Sequence, residues 1–254
     1  MITKTEIDKL AETYETVDFI KDDPLQFPHR FNKTKEDCEI AGFVASLLAY
    51  GNRKVFIKKL NTLFEIAENE PHNFILNFEE GVLGDFNYRF GTTEDFNEIF
   101  QVLRTLYEKD GGLDALFKYG YENPVNSNMF IPITEYFYSR FSENAGQGSY
   151  FMIPNPKKGG AMKRMCMYLR WMIRKGPVDL GIWNFMKPSE LLIPLDTHVA
   201  RLSREMRLLT RNANDFKSVL EITENLRKFD PEDPTKYDFA LFGYGVNEQN
   251  RTKK

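Results

Sequence analysis

Three short stretches of the chain hold side chains able to do covalent or binding chemistry. The first is NPKKGGAMKR, residues 155–164, where Lys163 follows Lys157, Lys158 and a glycine pair and precedes Arg164. A lysine near a positive helix end, among like charges, releases its proton more readily than an isolated one. The neutral amine is then a nucleophile that attacks carbon and forms a Schiff base. Gly159 and Gly160 let backbone N–H groups come close to an anion, and the start of the following helix adds to that attraction. The second stretch is IPLDTHVARLSR, residues 193–204. Asp196 stands where a carboxylate accepts hydrogen bonds from first-turn N–H groups. Held rigid and ionised, it suits the stabilisation of a cation developing on a nearby carbon. The third is YDFALFGYG, residues 237–245. Asp238 and Phe242 are four apart and share a helical face, an acid and an aromatic able to hold a planar ring by hydrogen bonding and stacking.

Each of these residues also has a plainer use. The glycine pair can be an ordinary helix–helix turn and Lys163 a surface lysine. Asp196 can be an N-cap and nothing more, although cap and catalyst are compatible in one carboxylate. Phe242 can belong to a core with Asp238 solvated beside it.

The elements that would position these groups read as helices. TKED at 34–37 is a capping signal, and the nearly continuous apolar run after it predicts a buried helix to about Leu48. Gly51 and Asn52 break that pattern before a second helix striped with Phe56, Leu60, Leu63 and Phe64. Residues 92–108 form a third, capped by Thr92 or Thr93 and closed by Gly111 and Gly112. Residues 130–141 are a further candidate, and SENAGQGSY at 142–150 is expected to be a loop. Residues 161–174 are strongly amphipathic. Met165, Cys166, Leu169 and Met172 lie on one stripe, and Lys163, Met167, Arg170 and Arg174 on another. Residues 176–190 look irregular. Helices follow Pro194 and span about 215–229, and the last starts with Asp233 as cap and Pro234 in the first turn. No run alternates as a strand does, and there are no internal repeats. The fold class is all-α.

Composition bounds the function. The chain has 254 residues, 42% hydrophobic and 14% aromatic, enough for a substantial core. The polar, acidic N-terminus is unlike a targeting segment, and AGFVASLLAYG is too short to span a bilayer, so a cytoplasmic protein with no membrane partner is expected. Cys38 and Cys166 are far apart, and His29, His72 and His198 are scattered. That excludes a four-cysteine iron–sulfur cluster and argues against a zinc site; no metal and no cofactor is expected. Net charge is −3, but unevenly distributed: residues 157–211 carry 12 Lys+Arg against 4 Asp+Glu, and the remainder 22 against 33. A protein that binds a polyanion with one face has such a distribution, as does one with a solvated basic helix.

Taken together, the glycine hairpin with its lysine and the later LDTHVARLSR resemble the helix-hairpin-helix DNA glycosylase superfamily. MKRMCMYLR is similar to the lysine helix of archaeal-type 8-oxoguanine glycosylases, which also keep lysine and aspartate far apart in sequence. The resemblance implies a two-lobed helix-hairpin-helix fold within one globular unit, with one lobe over about 35–190 and the other combining 1–34 with 191–254. It implies a DNA glycosylase with associated AP-lyase activity on an oxidised purine in double-stranded DNA. Lys163 and Asp196 would be catalytic, facing each other from the two lobes. Lys157, Lys158, Gly159, Gly160 and Arg164 would hold DNA, and Asp238, Phe242, Tyr50 and Asn52 the base and the vacated stack. The hairpin departs from the usual LPGVG pattern, so Arg164 is the alternative occupant of the lysine position, and Phe242 stands where tryptophan is more frequent. A non-catalytic nucleic-acid binder on the same fold and a protein-interaction module are the rival readings. A second resemblance, DPLQFPHRF at 23–31 followed by EIAGFVASLLAYGNR, is to a family of uncharacterised bacterial proteins.

Overall fold

The computed structural model describes residues 2–252, with side chains described for residues 2–245. Among these residues the structure is helical, with three isolated bridges and no β-strand. The all-α expectation is borne out. In chain order the helices are α1 Lys4–Tyr14, α2 Gln26–Arg30, α3 Lys35–Leu48, α4 Arg53–Ile66, α5 Pro71–Leu76, α6 Thr93–Lys109 and α7 Gly112–Glu122. They continue with α8 Phe130–Tyr138, α9 Gln147–Met152, α10 Lys163–Ile173, α11 Thr197–Glu205, α12 Phe216–Arg227 and α13 Asp238–Thr252. Packing divides the chain into two compact units, Asp22–Lys157 and the pair of segments Met1–Lys21 and Lys158–Lys254. These boundaries differ from divisions at 34/35 and 190/191. Lys163 and Asp196 therefore fall in the same unit, because the helix carrying Lys163 is tied by buried charges to the segment carrying Asp238.

In the Asp22–Lys157 unit, α3 is the central element. Thr34 caps it, its hydroxyl accepting from the Asp37 N–H at 3.1 Å and donating to Asp37 Oδ2 at 2.7 Å. Every residue from Cys38 to Leu48 is buried, as its continuous apolar run requires. The packing around it is largely aromatic: Phe43 stacks on Phe137 at 5.6 Å, and Phe64 of α4 meets Phe31 at 4.6 Å. Burying such a ring contributes roughly 1.5–3 kcal/mol, so these contacts hold the helices in place more than the caps do.

Two local outcomes differ from the sequence reading, each for a steric reason. Gly111 and Gly112 take φ +82° and +85°. After α6 ends at Lys109, only Asp110 and the left-handed Gly111 separate it from α7, which starts at Gly112, where the glycines alone read only as a stop. The expected loop at 142–150 contains the start of α9. There the buried Asp95 carboxylate accepts from the Ser149 N–H at 2.8 Å and hydroxyl at 3.0 Å. A Cβ at Gly148 would lie 2.2 Å from that carboxylate, so glycine is needed for this close approach.

The second unit encloses a core of Ile7, Ile193, Leu195, Val199, Ile222 and Leu241 among others. α13 packs against both α1 and α11. α10 is buried without interruption from Met165 to Ile173, including Arg170. Pro234 starts a single 3-10 turn over Pro234–Tyr237, and α13 begins only at Asp238. Asp233 makes no side-chain cap, because its carboxylate is taken by Arg174 Nε at 2.7 Å.

Candidate functional site

The two arginines on the Lys163 stripe of α10 face inward. Arg170 is 2% exposed. Its Nη2 donates to Asp179 Oδ1 at 3.2 Å and its Nη1 pairs closely with Asp238 Oδ2. Arg174 pairs with Glu15, with Asp179 at 3.0 Å and with Asp233 at 2.7 Å. A buried guanidinium persists only with such partners, since an unpaired charge costs several kcal/mol in a dry interior. A basic stripe on α10 therefore does not form a solvated polyanion-binding face. Its inner part is a charge lattice fastening α10 to α1, to the loop after α10 and to the start of α13. Other cations of the 157–211 segment are also engaged internally. Arg201 pairs with Glu205, Arg211 with Asp215, and Arg204 donates to the carbonyls of Arg211 and Asn212.

Asp196 is the N-cap of α11. Its Oδ1 accepts from the N–H groups of His198 and Val199, each at 2.8 Å. Among the described residues nothing donates to Oδ2. One oxygen therefore orients the carboxylate while the other remains available, which is how cap and functional group combine in one side chain.

Asp238 connects these features. Its carboxyl is buried, and burial pushes its pKa up to about 7. The Arg170 guanidinium opposes the rise, while the charges of Asp196 and Asp179 add to it and Lys163 draws it down. Arg170 is shared between two carboxylates, so it does not hold Asp238 fully ionised. Asp238 thus lies within electrostatic reach of both Lys163 and Asp196, although the three belong to different helices. Phe242, one turn along α13, is half-buried and meets the rings of Phe19 and His198 edge-on, each at 6.3 Å. His198 Nδ1 is buried without a hydrogen bond.

A family model described as "Protein of unknown function (DUF2400)" matches residues 23–247. The chain belongs to this DUF2400 family. No curated protein and no solved structure matches it. The resemblance of residues 23–31 and of the α3 sequence to an uncharacterised family is thereby borne out. The DUF2400 match spans Lys163, Asp196, Asp238, Phe242, Tyr50 and Asn52 alike, and it attaches no activity to any of them.

The remaining candidates of this DUF2400 protein divide between the units. Lys158, Gly159 and Gly160 are exposed and α10 follows, with Met162 at φ +52° before its first turn. The hairpin is fixed by Phe216 N–H donating to Gly159 O at 3.0 Å and by the bridge between Gly160 and Asp215. A Cβ at either glycine would meet nothing within 4 Å. Gly160 also has no positive φ, so no contact among the described residues requires it to be glycine. Lys163 and Arg164 are half-buried at the start of α10. Lys157 belongs to the other unit, where its amine pairs with Glu135 at 2.5 Å. Asn52 and Tyr50 also lie there. Asn52 caps α4 through Val55 N–H at 3.3 Å, and the Tyr50 hydroxyl donates to Tyr88 O at 3.0 Å.

Two residues of the Asp238 neighbourhood escaped sequence reasoning. Arg170 orients Asp238, and its only signal was a charge at a helical spacing of seven from Lys163. His198 reads as a scattered histidine because its neighbour Phe242 is far away in sequence. Among the described residues no group of His, Cys, Asp and Glu could hold a metal, and no helix is long and apolar enough to cross a membrane.

Proposed function

We propose that this protein is a DNA base-excision glycosylase with AP-lyase activity on an oxidised purine of the 8-oxoguanine type, built on a helix-hairpin-helix glycosylase fold and acting in the cytoplasm. The observation that carries the reading is the Asp196 carboxylate, which caps α11 through one oxygen while its other oxygen takes no hydrogen bond from a described residue. The hairpin at 155–164 and the buried Asp238 carboxyl, whose charge interacts with both Lys163 and Asp196, support it.

On this reading the open Gly159–Gly160 backbone and Lys158 take phosphates, and the damaged nucleotide leaves the stack at a cost of a few kcal/mol. Asp238 and Phe242 receive its base. Lys163 attacks C1′ through its amine, giving up a proton as the bond forms. The glycosidic C–N bond breaks, and the base departs with the electron pair and takes up a proton. Asp196 Oδ2 stabilises the positive charge that develops on the sugar. Ring opening leaves an iminium between Lys163 and C1′. Loss of a C2′ proton then expels the 3′ phosphate and nicks the strand. Arg170 acts through Asp238 as a positioning residue.

Borohydride trapping on a panel of damaged duplexes tests the reading. The wild-type chain should cross-link to at least one lesion, and Lys163→Gln should abolish the cross-link while leaving duplex binding intact. Asp196→Asn should slow excision and keep the fold, since Asn caps well. Trapping by Lys163→Gln at the wild-type rate would remove Lys163 from the mechanism. A second reading, a DNA binder without catalysis, draws on the burial of Asp238 against Arg170. It expects steep salt dependence of duplex binding with no trapping on any lesion.

A further inference from the structure

The turn at residues 88–91 in the Asp22–Lys157 unit exposes what a fold ordinarily hides. Tyr88 and Gly91 exchange both backbone hydrogen bonds, at 2.8 and 2.9 Å, which makes Arg89 and Phe90 the tip. Arg89 adopts φ +53°, a left-handed conformation that a non-glycine residue keeps only when its surroundings enforce it. Here they do. The Tyr88 hydroxyl donates to Tyr50 O, the Tyr50 hydroxyl donates back to Tyr88 O, and a Cβ on Gly51 would collide with the Arg89 guanidinium.

What this arrangement presents is an aromatic surface with a cation at its edge. Phe90 is 59% exposed and Phe151 38%. Their rings meet at 5.0 Å, and Tyr50 lies 5.0 Å from Phe151 and almost parallel to Phe90. The Arg89 guanidinium sits over both Tyr50 and Phe90, at 5.8 and 5.6 Å. Among the described residues no carboxylate pairs with Arg89. The helix that starts beside Gly51 reads RKVFIKKLNTLFE, with four cations before its first acid at Glu65. Lys54 and Lys58 likewise have no carboxylate within ion-pair distance among the described residues. Protein interfaces also favour aromatic rings and arginine, but they are depleted in lysine. Exposed rings with an unneutralised arginine over them, near a helix rich in cations, suit a chain of planar bases joined by phosphates.

We propose that Phe90, Phe151 and Arg89 form a stacking site for a nucleobase lying outside the double-helical stack, with the adjoining phosphate on Arg89. The site rests on the reading that this chain engages DNA, and is independent of the chemistry assigned to Lys163. The test uses the full chain and a duplex bearing one unpaired 2-aminopurine, beside the same duplex with that base paired. Wild-type protein should quench the fluorescence of the unpaired base and prefer that duplex. Phe90→Ala should weaken binding to it roughly 5- to 100-fold, as loss of one stacking partner does, with little change on the paired duplex, and Phe90→Tyr should restore it. Phe90 is exposed, so its removal leaves the fold intact. If Phe90→Ala and Phe151→Ala bind and quench as wild type does, the site is overturned while the DNA reading stands. If the wild-type chain binds neither duplex at low salt, both fall. If Phe90→Ala instead converts a dimer to a monomer in sedimentation, with probe binding unchanged, the surface is a self-contact and the proposal is overturned.

Discussion

The two cation-rich segments of this chain use their charge in opposite ways. In residues 157–211 the basic excess is largest, yet Arg170 and Arg174 are buried and bound to four carboxylates. Around α4 and the 88–91 turn the excess is smaller, yet Arg89, Lys54 and Phe90 are exposed. Buried charge must be neutralised where it lies, so it specifies how helices dock and offers little to a ligand. Exposed charge keeps its hydration and its reach. Local net charge by itself therefore does not locate a binding face; the count has to be corrected for what each cation already holds.

The largest expected effect breaks this contrast directly. Arg174→Met leaves Glu15, Asp179 and Asp233 without their shared partner and should destabilise the protein by about 3–5 kcal/mol. Arg89→Met, on the exposed turn, should stay within about 0.5 kcal/mol. Denaturant unfolding of both variants measures the difference, and equal losses would mean that the contrast is false.

A smaller effect concerns Asp238. Its folded-state pKa of about 7 lies above the ordinary value of 3.8, so folding favours the protonated form. The stability from this group is complete below the ordinary value and is lost as the pH rises through about 7. Asp238→Asn does not titrate there. The stability of wild type relative to Asp238→Asn should therefore fall between pH 4 and 8. A difference that rises with pH would show that Arg170 keeps the carboxylate ionised.

The cap role of Asp196 predicts a loss of about 1 kcal/mol for Asp196→Ala and only a few tenths for Asp196→Asn, read from unfolding midpoints. Smallest in stability is charge reversal at Lys157 and Lys158, both exposed. The Lys157–Glu135 pair is worth about 0–1 kcal/mol. Duplex binding should weaken, and the slope of log affinity against log salt should fall by about one for each phosphate contact removed. An unchanged slope would mean that the hairpin is only a turn.

Much of the helical framework was legible in the residues. The capped apolar run at 34–48, the Asn52 break and the Asp196 cap all act through hydrogen bonds a few residues apart, so local sequence carries them. The α9 start and the α6–α7 junction were not legible. In both cases glycine signalled an interruption, whereas the chain also uses it for a close approach to Asp95 or a left-handed step from one helix into the next. At the candidate site, Asp196 and the hairpin were visible as motifs. The burial of Asp238 was not, because it depends on Arg170, which is 68 positions away in the sequence.

Sequence alone determined that the chain is helical, where most helices begin, and which residue types could act as nucleophile, carboxylate and stacking partner. Those properties follow from periodicity, capping and side-chain chemistry, which are local. Tertiary structure alone decided which charges are neutralised and which face water. It turned α10's second stripe into a buried lattice and placed Asp238 within the fields of Lys163 and Asp196. It also left Phe90 exposed beside Arg89. Electrostatic energy depends on distance and on the surrounding dielectric, and both are set only when helices remote in sequence pack together.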